Sequence, residues 1–153
     1  MTTENKDTTQ DTTQNIFNKL LCLIIGFAIL IPFLAHNINV SKSRLRKYYN
    51  VDGKTFNKWY QYFCSDISSI HQFKKQRKIT LATYWQIKSR LGDISDCAVM
   101  RKVDIVNLCE SDYRTLRKNI KHAPPSVGID IRTYDRLSTF PPKVCRAIID
   151  WFG

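Results

Sequence analysis

Glycine and proline are scarce, five of each in 153 residues. That excludes a collagen-like or loop-dominated chain and argues against a many-stranded β architecture. Paired cysteines are missing too. Cys22, Cys64, Cys97, Cys109 and Cys145 are odd in number and contain no CxxC, whereas a disulfide framework or zinc site needs an even or closely spaced set. They read as reduced core residues in a reducing compartment, and His36, His71 and His122 do not join them in a metal-ligand pattern. There is no Gly-rich phosphate loop, no GxSxG and no HExxH. The acidic residues beyond position 40 stand mostly alone. The expectation is a non-enzyme with no cofactor, no metal and no small-molecule substrate.

Acidic charge is the other shortage. Asp and Glu total 13 against 24 Lys and Arg, a net charge of +11. Residues 1–39 hold Lys6 and Lys19 against Glu4, Asp7 and Asp11, so the rest of the chain has 22 basic and ten acidic residues, net +12. A small domain that basic is drawn to polyanions, either nucleic acid or an anionic membrane face.

Residues 1–15, MTTENKDTTQDTTQN, are almost wholly polar and repeat the DTTQ unit. They bury too little to offset ordering entropy and are expected to be a disordered tail. Residues 16–38 differ sharply, with Leu20 to Ala35 free of charge. Counted from Ile16 the segment reaches about 30 Å as a helix, enough to cross a bilayer. Three readings compete: a transmembrane anchor, which is favoured, a buried core helix, and a cleaved signal peptide. If the segment spans, Lys42, Arg44, Arg46, Lys47 and Lys54 on its C-terminal side place the basic region in the cytoplasm.

From residue 40 onward the apolar spacing is helical. Leu45, Tyr48 and Tyr49 lie at i, i+3, i+4, and Phe56, Trp59, Tyr60 and Phe63 follow the same rule. Leu81, Tyr84, Trp85, Lys88 and Leu91 form another amphipathic run closed by Gly92. No segment alternates with a period of two, so the fold class is all-α, following the N-terminal hydrophobic helix. Trp85 and Trp151 are assigned to the core with the other aromatics.

The chain also repeats itself. A shift of 60 places residues 41–60 on 101–120, aligning Lys42 with Lys102, Leu45 with Ile105, Asp52 with Asp112, Lys54 with Arg114, Thr55 with Thr115 and Lys58 with Lys118. A shift of 61 places 79–92 on 140–153, aligning Ile87 with Ile148 and Gly92 with Gly153. Two tandem units are expected, 40–93 and 99–153, each a helix, tight turn, helix, linker and closing helix. The linkers are 64–78, ending in Lys74, Lys75, Arg77 and Lys78, and 122–139, broken by Pro124, Pro125 and Gly128. Their basic clusters would add phosphate contacts or a hinge.

Within the first unit, LRKYYNVDGKTFNKW resembles the generic helix-turn-helix pattern LAxxxGVSxxTVxRW of bacterial regulators, excisionases and transposases. Leu45 and Val51 take the core and turn apolar positions, and Asp52 takes the capping Ser place. Thr55 and Phe56 match the TV pair. Arg46 stands where the pattern has a small residue that lets the helices approach, a departure that fits the motif only if its side chain turns outward; Asn50 replaces the turn glycine. The second copy is more degenerate, with Asp112 again at the cap. The resemblance implies a second helix entering the major groove of double-stranded DNA. Lys54, Asn57 and Lys58 would then face the bases, with Thr55 turned inward or to phosphate. Arg114, Thr115, Arg117, Lys118 and Lys121 would do the same in the second copy, and Lys42 would meet the backbone. It also implies transcriptional regulation or a mobile-element accessory role. The alternative is a basic helical adaptor for acidic proteins or anionic lipid surfaces.

Overall fold

A computed structural model describes residues 38–152 without a break, together with scattered helical positions between 19 and 37. The polar tail expected at 1–15 lies outside the described residues, as does most of the run at 16–38. Among the described residues no helix is long and apolar enough to cross a membrane.

Residues 39–153 form one compact unit. It opens with strand β1 (Asn39–Ser41), followed directly by helices α1 (Lys42–Tyr49), α2 (Gly53–Phe63) and α3 (Ile70–Lys75). Strand β2 (Lys78–Thr80) then leads into α4 (Leu81–Leu91). The order repeats: β3 (Met100–Arg101), α5 (Lys102–Leu108), α6 (Tyr113–Lys121), a 3₁₀ turn (Pro125–Val127), α7 (Ile131–Arg136), β4 (Thr139–Phe140) and α8 (Pro142–Phe152). The unit is mainly helical, as expected, but it carries two small sheets that periodicity does not reveal. A strand of two or three residues sends only one side chain inward, so no alternation can develop.

The sheets pair in the same register in both copies. Val40 faces Ile79 and Ser41 faces Lys78 in the first; Met100 faces Phe140 and Arg101 faces Thr139 in the second, both antiparallel. Each copy also holds a helix within its expected linker. Ser69 caps α3 and Asp130 caps α7, 61 residues apart, and Phe73 and Tyr134 are the buried residues they deliver. Phe73 stacks on Tyr60 and Tyr134 on Phe140. The linkers are therefore packed elements rather than hinges.

The two turns match as well. Asn50 and Glu110 both adopt left-handed backbone, φ 51° and 47°, and Val51 and Ser111 donate to the carbonyls of Arg46 and Val106. Asp52 and Asp112 each accept two backbone N–H groups at the start of the next helix. Gly92 closes α4 at φ 88°, and a Cβ there would lie 2.7 Å from the Lys143 nitrogen, so the position requires glycine.

One hydrophobic core runs through both copies, from Leu45, Phe56 and Trp59 to Ile105, Leu116 and Ile148. Trp59 donates its indole N–H to the Thr139 carbonyl at 2.8 Å, tying α2 of the first copy to β4 of the second. Phe56, Trp59 and Tyr60 are buried as expected, but Trp85 is 55% exposed and Trp151 36%. The four described cysteines are free. Cys64 and Cys145 are buried, and burial raises both thiols to about 12; Cys97 and Cys109 are half-buried.

Candidate functional site

Each copy places two helices across a short turn, three residues in the first and four in the second, and the second helix of each pair turns its apolar face inward. Phe56, Trp59 and Tyr60 of α2 are buried, as are Leu116 and Ile120 of α6. The 3.6-residue repeat then forces the intervening positions outward. Lys54 and Lys58 of α2 are exposed and Asn57 is half-buried. Arg114, Lys118 and Lys121 of α6 are exposed. None of these five cations takes part in an ion pair among the described residues. Lys58 Nζ reaches the Arg136 carbonyl at 3.5 Å.

The other expected site residues are occupied structurally. Thr55 donates its hydroxyl to Asp52 and Thr115 to Asp112, at 2.7 and 2.8 Å, completing the helix caps. Arg117 grips Asp135 through two nitrogen–oxygen contacts of 2.8 Å. Lys42 is half-buried, donates to the Phe73 carbonyl and lies 4.3 Å from the Phe73 ring centroid. Lys102 repeats that arrangement on Tyr134, with 2.8 Å to the carbonyl and 4.3 Å to the ring. The matched pair of lysines is a fold device linking the first helix of each copy to its third.

Around Lys42 the structure adds residues that the helix-turn-helix comparison does not single out as contacts. A groove of about 450 Å³ is lined by Lys42, Arg46, Gly53, Asn57, Lys74 and Arg77, among others. Arg46 does turn outward, and its guanidinium crosses the start of α2, where a Cβ on Gly53 would lie only 2.9 Å from Arg46 Nη1. Burial, and secondly the nearby Arg46 charge, lower the Lys42 pKa. Burial likewise lowers that of Lys102, but there Asp135 works in the opposite sense.

Charge divides unevenly between the copies. Residues 40–93 hold 12 basic and three acidic side chains, net +9; residues 99–153 hold ten and six, net +4. The three acids of the first copy are committed elsewhere, Asp52 to its cap, Asp66 to Arg90 and Asp93 to Lys88. A second groove of about 560 Å³ lies between α4 and α8, lined by Trp85, Lys143 and Arg146 as well as Asp93, Asp96 and Asp150. Its charges are mixed. In comparisons with known proteins, no family model, no curated protein and no solved structure matches the chain.

Proposed function

We propose that residues 39–152 bind double-stranded DNA through the outward faces of α2 and α6, as a transcriptional regulator or mobile-element accessory protein. The observation that carries this reading is the coincidence of two patterns. The same capped path of helix, short turn and helix occurs twice, and at equivalent positions it leaves exposed cations with no ion pair among the described residues: Lys54 with Arg114, and Lys58 with Lys118. Cations placed this way release counterions from a duplex, which supplies sequence-independent affinity. Asn57, Lys54 and Lys58 occupy the N-terminal half of α2, the part of such a helix that meets base edges. Thr55, Thr115 and Lys42 hold the framework, and Arg117 contributes only if its pair with Asp135 opens.

The competing reading is an adaptor that uses the same charge on an anionic lipid surface or an acidic protein. Exposed Trp85, beside Lys88, favours it, because an aromatic flanked by cations suits an interface. Gel shifts with random duplexes, run against flotation with vesicles containing anionic lipid, separate the two. The DNA reading expects Lys54→Ala/Lys58→Ala to lose duplex binding and keep vesicle binding. The opposite pattern supports the adaptor.

Membrane attachment through residues 16–38 is a separate part of the proposal. Leu20, Leu21, Ile24, Leu30, Ile31 and Leu34 are exposed apolar positions, as lipid contact requires. An anchored protein stays in the pellet after carbonate extraction; release into the supernatant rejects the anchor.

A further inference from the structure

The two copies differ at the contact between the second and third helices. In the second copy, Arg117 of α6 and Asp135 of α7 close this contact with a two-pronged ion pair. Sixty and 61 residues earlier, the equivalent positions are Asn57 and Lys74. Both offer N–H donors, and no carboxylate lines the groove between them. Two further exchanges have the same sense. Val106, nearly buried, stands at the place of Arg46, and Tyr113 at the place of Gly53. Where the second copy has an apolar side chain, a large ring and an internal carboxylate, the first has a guanidinium, an open glycine and a lysine. Arg77 takes the place of Ser138 and adds another cation.

We propose that the groove between α1, α2 and α3 binds a phosphate group, whose oxygens take the place that the Asp135 carboxylate holds in the second copy. Arg46 and Lys74 supply the principal charge, Arg77 adds to it, and Asn57 donates from its amide. Gly53 keeps the groove open by letting the Arg46 guanidinium cross the start of α2. Lys42 is already bonded to α3 and contributes field rather than a free donor. On this assignment the copies have divided their tasks: the first grips the anion, and the second fills the same site with its own carboxylate. That the phosphate belongs to a duplex backbone rests on the DNA reading above. The groove itself does not.

The test follows backbone amide shifts of the full chain during titration with inorganic phosphate, with chloride balancing ionic strength. Wild type should show saturable shifts at Arg46, Gly53, Asn57 and Lys74. Lys74→Asp, which places a carboxylate as in the second copy, should weaken phosphate by about tenfold or more. Gly53→Ala should also weaken it, by displacing Arg46 while the rest of the spectrum keeps its dispersion. Arg132→Ala, on an exposed site of α7, should behave as wild type. Absence of saturable shifts, or equal shifts in wild type and Lys74→Asp, overturns the assignment. A short duplex in place of phosphate identifies the source. If inorganic phosphate gives no saturable shifts while the duplex binds wild type and Lys74→Asp equally, the groove assignment falls while the DNA reading stands. If inorganic phosphate fills the groove and the duplex shifts no residue of the groove or of the outward faces of α2 and α6, the groove stands and the DNA reading falls.

Discussion

Single residues show where the two repeats part. Tyr134 takes the place of Phe73, yet its hydroxyl is buried with no hydrogen-bond partner among the described residues. Burial is also the main reason its pKa is pushed up to about 12, so it stays protonated. An unpaired buried hydroxyl costs about 1–3 kcal/mol. Tyr134→Phe, which restores the residue used by the first copy, should therefore raise stability by roughly 1 kcal/mol in urea unfolding; destabilisation would show that the hydroxyl is satisfied. Glu110 tells a similar story at the turn. It holds φ 47°, where its counterpart is Asn50, and asparagine tolerates left-handed backbone better than glutamate. Glu110→Asn should stabilise by about 0.5–1 kcal/mol, read in the same experiment. A loss would mean that the Glu110 side chain has a role of its own.

At the scale of elements, the helix caps set the response to acid. Asp52 is held below the usual carboxylate range mainly by the Thr55 hydroxyl and then by the Thr55 N–H. Asp112 is held there mainly by the Thr115 N–H and then by its hydroxyl. A carboxyl depressed in the folded state stabilises at pH values above its unfolded pKa, near 4, and loses that contribution as pH falls through the folded value. Stability should thus be level from pH 7 to about 5 and decline below about 4. Asp52→Asn/Asp112→Asn keeps an acceptor for each cap but no titrating group, so its acid decline should be shallower. An unchanged decline would assign acid sensitivity to Asp93, Asp104 and Asp135, which are lowered too.

Elements also differ in how plainly the sequence announces them. Helices α1, α2, α4 and α8 show their apolar spacing in the sequence, and the caps of α2, α6 and α4, which are Asp52, Asp112 and Gly92, can be read directly. Helices α3 and α7 are six residues long and each buries one aromatic deeply, too little for a period to emerge. Their signal was the 61-residue offset, which relates Ser69 to Asp130 and Phe73 to Tyr134. The outward lysines of α2 and α6 follow from the same periodicity. Thr55 and Thr115 do not, because a threonine three residues after a capping aspartate serves the cap as well as it would a phosphate. The groove was beyond local pattern altogether, since Lys74 and Arg77 meet Arg46 only through the packing of α3.

For the compact unit as a whole, the copies share one core, and Trp59 spans the junction to Thr139. Its charge is nonetheless lopsided, +9 against +4, and polyanion binding falls to surface cations that form no ion pair among the described residues. The most direct measurement is duplex affinity by fluorescence anisotropy as a function of salt. Each phosphate contact contributes about 0.9 to the slope of log K against log salt. Lys54→Ala/Lys58→Ala should flatten that slope by close to two, and Arg114→Ala/Lys118→Ala should do so only to the extent that α6 reaches the same duplex. A wild-type slope retained in both double variants would contradict the account.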